Sequence, residues 1–253
     1  EHYVNHPKWF RDGCVCGTDG CGLTEKALSC VFAPYMPDVN WTNNEASEGV
    51  LADALWWLER FDLDGARVDA VKHIETSATF NLVSRVREKF ETAGTDYFLT
   101  GETAMGWSGD KLEDNKQQYG TINKYMGPSG VDGQFDFVLF HAAVDRVLAS
   151  DEKGMIHLDV WTGHSQTQYA AGAVMTPYIG SHDTARFISR ADYRGQQDHP
   201  KDVALNKWKD QTLPEQPGED EAYDRSRLAH CWLLTIPGAP LIYMGDEYGE
   251  FGG

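Results

Sequence analysis

Positive charge is what this sequence has least of. Its 22 Lys and Arg face 39 Asp and Glu, for a formal net charge of −17, a balance that repels a polyphosphate backbone and argues against a nucleic-acid partner. No apolar run approaches the roughly 20 residues of a membrane-spanning helix, so a soluble protein with no membrane partner is expected. The chain opens at Glu1 in polar sequence, without the charged start and apolar segment of a secretion signal. There is no internal repeat and no low-complexity tract. Cysteine is scarce and unevenly spread: of five, Cys14, Cys16, Cys21 and Cys30 crowd one stretch, and Cys231 stands alone. The spacing C-x-C-x4-C-x8-C lacks the paired C-x2-C of common zinc sites. It leaves open a loop laced by two disulfides, with three full pairings possible, or a metal knot. Disulfides would imply an oxidising compartment. Cys231 lies in an apolar helical pattern and reads as a buried free thiol.

Apolar material is not lacking. With 253 residues, 41% hydrophobic and 12% aromatic, the chain can build one large α/β barrel or two ordinary domains. Its most informative stretch runs from Asp62 to His73, a short buried strand breaking into a loop. Alternation along Ala66-Arg67-Val68-Asp69 points Arg67 and Asp69 to the same side. That pair is either a structural ion pair or a catalytic carboxylate oriented by an arginine. Asp62 and Asp64 read as loop residues at the strand's entry.

Further strands are expected near Tyr3–His6, at Tyr97–Glu102, at Gly133–Phe137, at Thr176–Gly180 and at Pro240–Gly245. Between them, helical spacing marks a segment capped by Asn44 and carrying Val50, Leu51, Ala54, Leu55, Leu58 and Phe61, with Trp56 and Trp57 packing. It also marks Phe80–Phe90, Val138–Leu148 and Ala229–Leu234. Polar, Pro-containing sequence from Asp192 to Asp224 reads as a long surface loop. Strand, polar loop and helix in repetition imply a parallel sheet, and a (β/α)8 TIM barrel places functional groups at strand C-terminal ends. Six of eight strands are visible, ending near His6, Asp69, Glu102, Phe137, Gly180 and Gly245. Two more would precede residue 1, and a last helix would follow residue 253. Residues 1–253 are therefore expected to be a partial catalytic barrel, with 7–40 a Cys-rich loop subdomain inserted after the first visible strand.

Asp69, Glu102 and Asp183 each end a strand and would converge on the barrel mouth. Such a group can divide into one ionised and one protonated carboxyl, the requirement of glycoside hydrolysis. The ordered stretches that carry them resemble the α-amylase superfamily, glycoside hydrolase family 13. Gly65-Ala66-Arg67-Val68-Asp69-Ala70-Val71-Lys72-His73 is similar to the family's nucleophile strand, which implies Asp69 as nucleophile and Arg67 as the group keeping it ionised. Leu99-Thr100-Gly101-Glu102 resembles the acid/base strand and implies Glu102 in that role. Tyr178-Ile179-Gly180-Ser181-His182-Asp183 resembles the strand carrying the transition-state stabiliser, implying Asp183, with His182 on the sugar. Ser181 departs there from the usual Asn. Pro237 to Glu247 is similar to the last barrel strand.

By the same resemblance, Lys72 and His73 would line the leaving-group side and His6 of Tyr3-Val4-Asn5-His6 would contact sugar. Calcium would be held by Asn5, Asp38 and the main-chain oxygen of His73, all hard oxygen donors. Turn and loop hydrogen bonding is the alternative for Asn5 and Asp38. The resemblance implies an enzyme that hydrolyses α-1,4-glucosidic bonds in starch-like α-glucans with retention; starch as the substrate and the cysteine cluster imply secretion, and a monomer is expected. A transglycosylase, an α-1,6-acting glucosidase and a non-catalytic amylase-like binding or scaffold subunit are the competing expectations. Trp9, Phe10, Trp41 and Trp107 read as packing residues before sugar-stacking ones.

Overall fold

The computed structural model describes residues 5–17, 26–91, 94–192 and 215–252. The chain divides into two compact units. The first takes Glu1–Ala104, Gly120–Gln134 and Ala170–Ala173; the second takes Met105–Tyr119, Phe135–Tyr169 and Val174–Gly253.

In the first unit, β1 (Phe10–Arg11) pairs antiparallel with β2 (Asp38–Val39), placing Arg11 opposite Asp38. Helix α1 (Asn44–Arg60) begins one residue earlier than its sequence suggests. Asn43, not Asn44, is the cap: its backbone is extended and its Oδ1 accepts from the amides of Glu45 at 3.0 Å and Ala46 at 3.2 Å. Leu51 and Leu58, two turns apart, are buried, whereas Trp56, Trp57 and Phe61 are half exposed and pack on one another, with Trp57 and Phe61 stacked at 5.0 Å. Two ion pairs, Arg85–Glu48 at 2.5 Å and Lys89–Glu59 at 2.6 Å, join α1 to α2 (Thr76–Phe90).

The sheet of this unit is parallel, in the order β3 (Gly65–Val68), β4 (Phe98–Gly101), β5 (Gly133–Gln134). Its register sets Gly65 against Phe98 and Val68 against Gly101, so Asp69 and Glu102 leave adjacent strands at the same end. Gly65 is obligatory at that pairing, since a Cβ there would lie 2.1 Å from the Phe98 carbonyl oxygen. Helix α3 (Lys116–Asn123) precedes β5.

In the second unit, α4 (Phe137–Leu139) runs on through the wide π-type turns Phe140–Ala149, and is joined by α5 (Met155–Gln168), α6 (Phe187–Asp192) and α7 (Asp220–Leu233). Its core gathers Phe140, Val144 and Leu148 of the α4 segment, Phe187 and Ile188 of α6, Ala229 and Leu233 of α7, and Tyr178 and Ile179. Tyr178 stacks on Phe140 at 4.5 Å. Parallel bridges join Phe135 to Thr176 and Tyr178 to Leu241. Asp136, fully buried, caps α4 by accepting from the Leu139 amide at 3.0 Å, and also receives the hydroxyls of Tyr169 and Ser165.

Several expectations are corrected. The strand candidates at Thr176–Gly180 and Pro240–Gly245 form single bridges rather than strands. Tyr3 and Val4 lie outside the described residues, and Pro7–Trp9 is a 3-10 turn. Helix α7 starts at Asp220, where Asp220 and Glu221 favour the positive end of the helix dipole, so part of the expected loop is helix; residues 193–214 lie outside the described residues. On α7, Ala229 and Leu233 face the core, and Cys231 is turned away from them and exposed, not buried. The Cys-rich stretch contains one described disulfide, Cys14–Cys30, beside the bridge between Val15 and Val31. Cys16 is buried against it, and Cys21 lies outside the described residues. Among the described residues, no helix is long and apolar enough to cross a membrane.

Candidate active site

The strongest constellation lies at the C-terminal ends of β3 and β4. Arg67 Nη1 sits 2.8 Å from Asp69 Oδ1, as the two-residue spacing on one strand face predicts, and Arg67 Nη2 sits 3.6 Å from Glu102 Oε2. One planar guanidinium therefore addresses both carboxylates, each through a different nitrogen of its fixed fork, which a lysine's single ammonium lacks. The strand ladder continues past the ends of both strands, with the Glu102 amide donating to Val68 O at 2.9 Å and the Val71 amide to Glu102 O at 2.8 Å. Ala70, between them, is left-handed at φ 46 and ψ 41, a costly conformation for a residue with a Cβ. That turn aims its amide at Glu102 Oε2, 3.0 Å away. Glu102 thus accepts from a backbone N–H and faces Arg67, with its side chain 13% exposed, whereas the Asp69 side chain is 71% exposed. The enclosed carboxyl suits proton transfer in a fixed geometry; the open one suits attack on an incoming substrate.

Turning through Ala70, the chain enters the 3-10 turn Val71–His73. Lys72 Nζ donates to Ala104 O at 2.7 Å, and burial lowers its pKa against the opposing pull of the Glu102 charge. His73 Nδ1 donates to Ala27 O at 3.1 Å, within the disulfide-closed loop. Burial first, and the Lys72 charge second, lower the His73 pKa, favouring the neutral ring. His6 stacks on Trp9 at 4.3 Å, and the Trp9 indole N–H reaches Glu45.

Asp183 and His182 belong to the second unit. They pair with each other, His182 Nε2 to Asp183 Oδ2 at 3.1 Å, and both side chains are more than half exposed. Ser181 shapes this turn: its hydroxyl accepts from the Asp183 amide at 3.2 Å, and its own amide donates to Thr184 Oγ1 at 2.9 Å.

The expected calcium ligands meet a different environment. Asn5 is exposed. Asp38 already faces a cation, with Arg11 Nη1 3.1 Å from its Oδ2, and the same guanidinium contacts Glu75 and the Leu28 carbonyl. Burial, the leading cause, raises the Asp38 carboxyl to about 6 against the pull of Arg11. A donor whose charge is spent on a guanidinium does not suit a divalent ion as well, and no group of three or more His, Cys, Asp or Glu able to hold a metal occurs among the described residues. The set does not fit calcium. Arg11, Glu75 and the Ala70 turn carry no sequence signal of their role: Arg11 is separated from Glu75 by 64 positions, and a strained backbone has no residue signature at an alanine.

Comparison with known proteins identifies the family. The family model described as the α-amylase catalytic domain matches residues 24–253. Alpha-amylase 3 of Dictyoglomus thermophilum is 25% identical over 228 residues, covering 88% of this chain and 36% of that protein. Probable oligo-1,6-glucosidase 3 of Bacillus subtilis is 25% identical over 229 residues, covering 87% and 37%. Among solved structures, an α-amylase from Geobacillus thermoleovorans complexed with acarbose superposes with a TM-score of 0.71 at 22% identity, covering 99% of this chain and 47% of that one. The chain spans about a third of the length of these curated relatives. With the family model spanning nearly all of the sequence, and the resembling strands carrying the paired carboxylates, this chain belongs to the α-amylase catalytic-domain family.

Proposed function

We propose that the protein is a retaining glycoside hydrolase acting on α-1,4-glucosidic bonds of starch-like glucans. The observation that carries this reading is the single Arg67 guanidinium addressing both Asp69 and Glu102. Retention needs the two carboxyls about 5–5.5 Å apart and inversion about 6.5–9.5 Å, so as to admit a water; a guanidinium drawing both carboxylates to itself favours the shorter separation.

In the first step the Asp69 carboxylate attacks the anomeric carbon as Glu102 gives its proton to the departing glycosidic oxygen, so the C–O bond breaks and the leaving sugar departs as an alcohol. In the second, Glu102, now a carboxylate, takes a proton from water whose oxygen attacks the same carbon and displaces Asp69. Two inversions restore the starting configuration. Arg67 holds the nucleophile, and the Ala70 amide holds the acid/base group. Asp183 has the role of stabilising positive charge at the transition state, and His182, His6 and Lys72 that of binding sugar. No step is routed through calcium. The Cys14–Cys30 disulfide supports an oxidising, extracytoplasmic location.

The full-length protein acting on maltooligosaccharides should release the α-anomer first, read by proton NMR before mutarotation. Asp69→Asn should lower kcat by at least about 10³-fold with the fold retained. The β-anomer first, or undiminished activity in Asp69→Asn, would overturn the mechanism. The relatives named as an amylase and as an oligo-1,6-glucosidase are equally similar to this chain, so isomaltose belongs in the same assay; faster hydrolysis of isomaltose than of maltose would move the bond preference to α-1,6.

A further inference from the structure

Arg11 gathers four segments of the first unit. It lies on β1, opposite Asp38 of β2 in the strand register, and pairs with that carboxylate at 3.1 Å. Its second nitrogen pairs with Glu75, the residue immediately before α2 and six positions after Asp69. It also donates to the carbonyl of Leu28, inside the loop closed by Cys14–Cys30. One residue away, the Ala27 carbonyl receives the His73 ring. The three ionic side chains are 14–18% exposed. Two carboxylates drawn this far from water need a positive partner, and removing that partner is costly. A divalent ion on Asp38 would stand beside a guanidinium competing for the same carboxylate, in surroundings that strengthen like-charge repulsion.

We propose that Arg11 is the resident cation of this junction. Its fixed fork of donors joins β2, the disulfide loop and the start of α2, the segment that follows the nucleophile strand, so the junction assembles without calcium. This is independent of the catalytic reading, since its readouts are metal binding and melting temperature.

The test uses the full-length protein, titrated calorimetrically with calcium and melted in EDTA and in excess calcium. The expected result is no saturable calcium binding that depends on Asp38, and the same Tm in both conditions. Arg11→Met should lower the Tm in EDTA by on the order of 5–10 °C. Calcium should then recover part of that loss through the freed carboxylates, and the recovery should vanish in Arg11→Met combined with Asp38→Asn. Saturable calcium binding by the wild type, with a rise in Tm that Asp38→Asn abolishes, would overturn the proposal, as would an Arg11→Met protein melting like the wild type in EDTA. The calcium arm compares the wild type with Asp38→Asn and does not use Arg11→Met, so it decides the question even where Arg11→Met does not fold.

Discussion

Asp69 and Glu102 differ in surroundings more than in chemistry. Both are carboxyls at the ends of neighbouring parallel strands, yet one is open to solvent and the other is fixed by a backbone amide and a guanidinium. The amide comes from Ala70, held in a left-handed turn where a β-branched side chain is strongly disfavoured. Ala70→Val should therefore lower kcat by about 10-fold or more and cost about 1–2 kcal/mol of stability, whereas Ala70→Gly, free of the Cβ clash, should keep its activity. Steady-state kinetics with urea unfolding of both variants checks this; equal kcat in Ala70→Val and wild type would remove the positioning role from the turn. The Arg67–Asp69 pairing was legible because strand alternation is local. The reach of Arg67 across to Glu102 depends on the register between β3 and β4, which no spacing within either strand encodes.

At the scale of elements, the Cys14–Cys30 bridge closes a loop of 16-residue separation onto the segment that His73 and Arg11 anchor. Chain-entropy reasoning assigns such a bridge about 3 kcal/mol, so replacing both cysteines with alanine should lower unfolding free energy by roughly that amount in urea titration. A double variant as stable as wild type would show that the loop is held by its hydrogen bonds alone. Helices α1 and α2 were readable from periodic apolar residues, and α1 missed only the position of its cap. Helix α5 was not readable, because its one buried residue is Trp161 while Met155, Ile156 and Val160 are exposed, leaving no apolar stripe. The strand candidates around Thr176 and Leu241 have strand-like composition, but their pairing reduces to single bridges with partners 41 and 63 positions away. Composition marks a strand's affinity for a sheet; the partner decides how much of it pairs.

For the molecule as a whole, acid bears on a buried histidine of the second unit. His141 on the α4 segment pairs with Asp145 at 2.8 Å, and burial, reinforced by the charges of Arg190 and Arg146, lowers its pKa to about 4. The unfolded chain protonates this histidine near 6.5 while the folded one does not, so its contribution is complete above that value and falls away as pH drops toward 4. The urea midpoint should decline across that window, modestly because the ring is partly open to solvent, and the decline should be shallower in His141→Gln. An unchanged slope in the variant would assign the acid sensitivity to other groups. By itself, the sequence determined the acidic charge, the parallel strand-loop-helix order and the family, because each is written in composition, in local pattern or in motifs short enough to read. Only the tertiary structure decided that one arginine serves both Asp69 and Glu102, that a left-handed alanine aims an amide at Glu102, and that Arg11 pairs with Asp38, the carboxylate expected to hold calcium. All three depend on contacts between residues that strand register and chain reversal bring together, and such contacts are set by the packing of the whole fold rather than by neighbours in the chain.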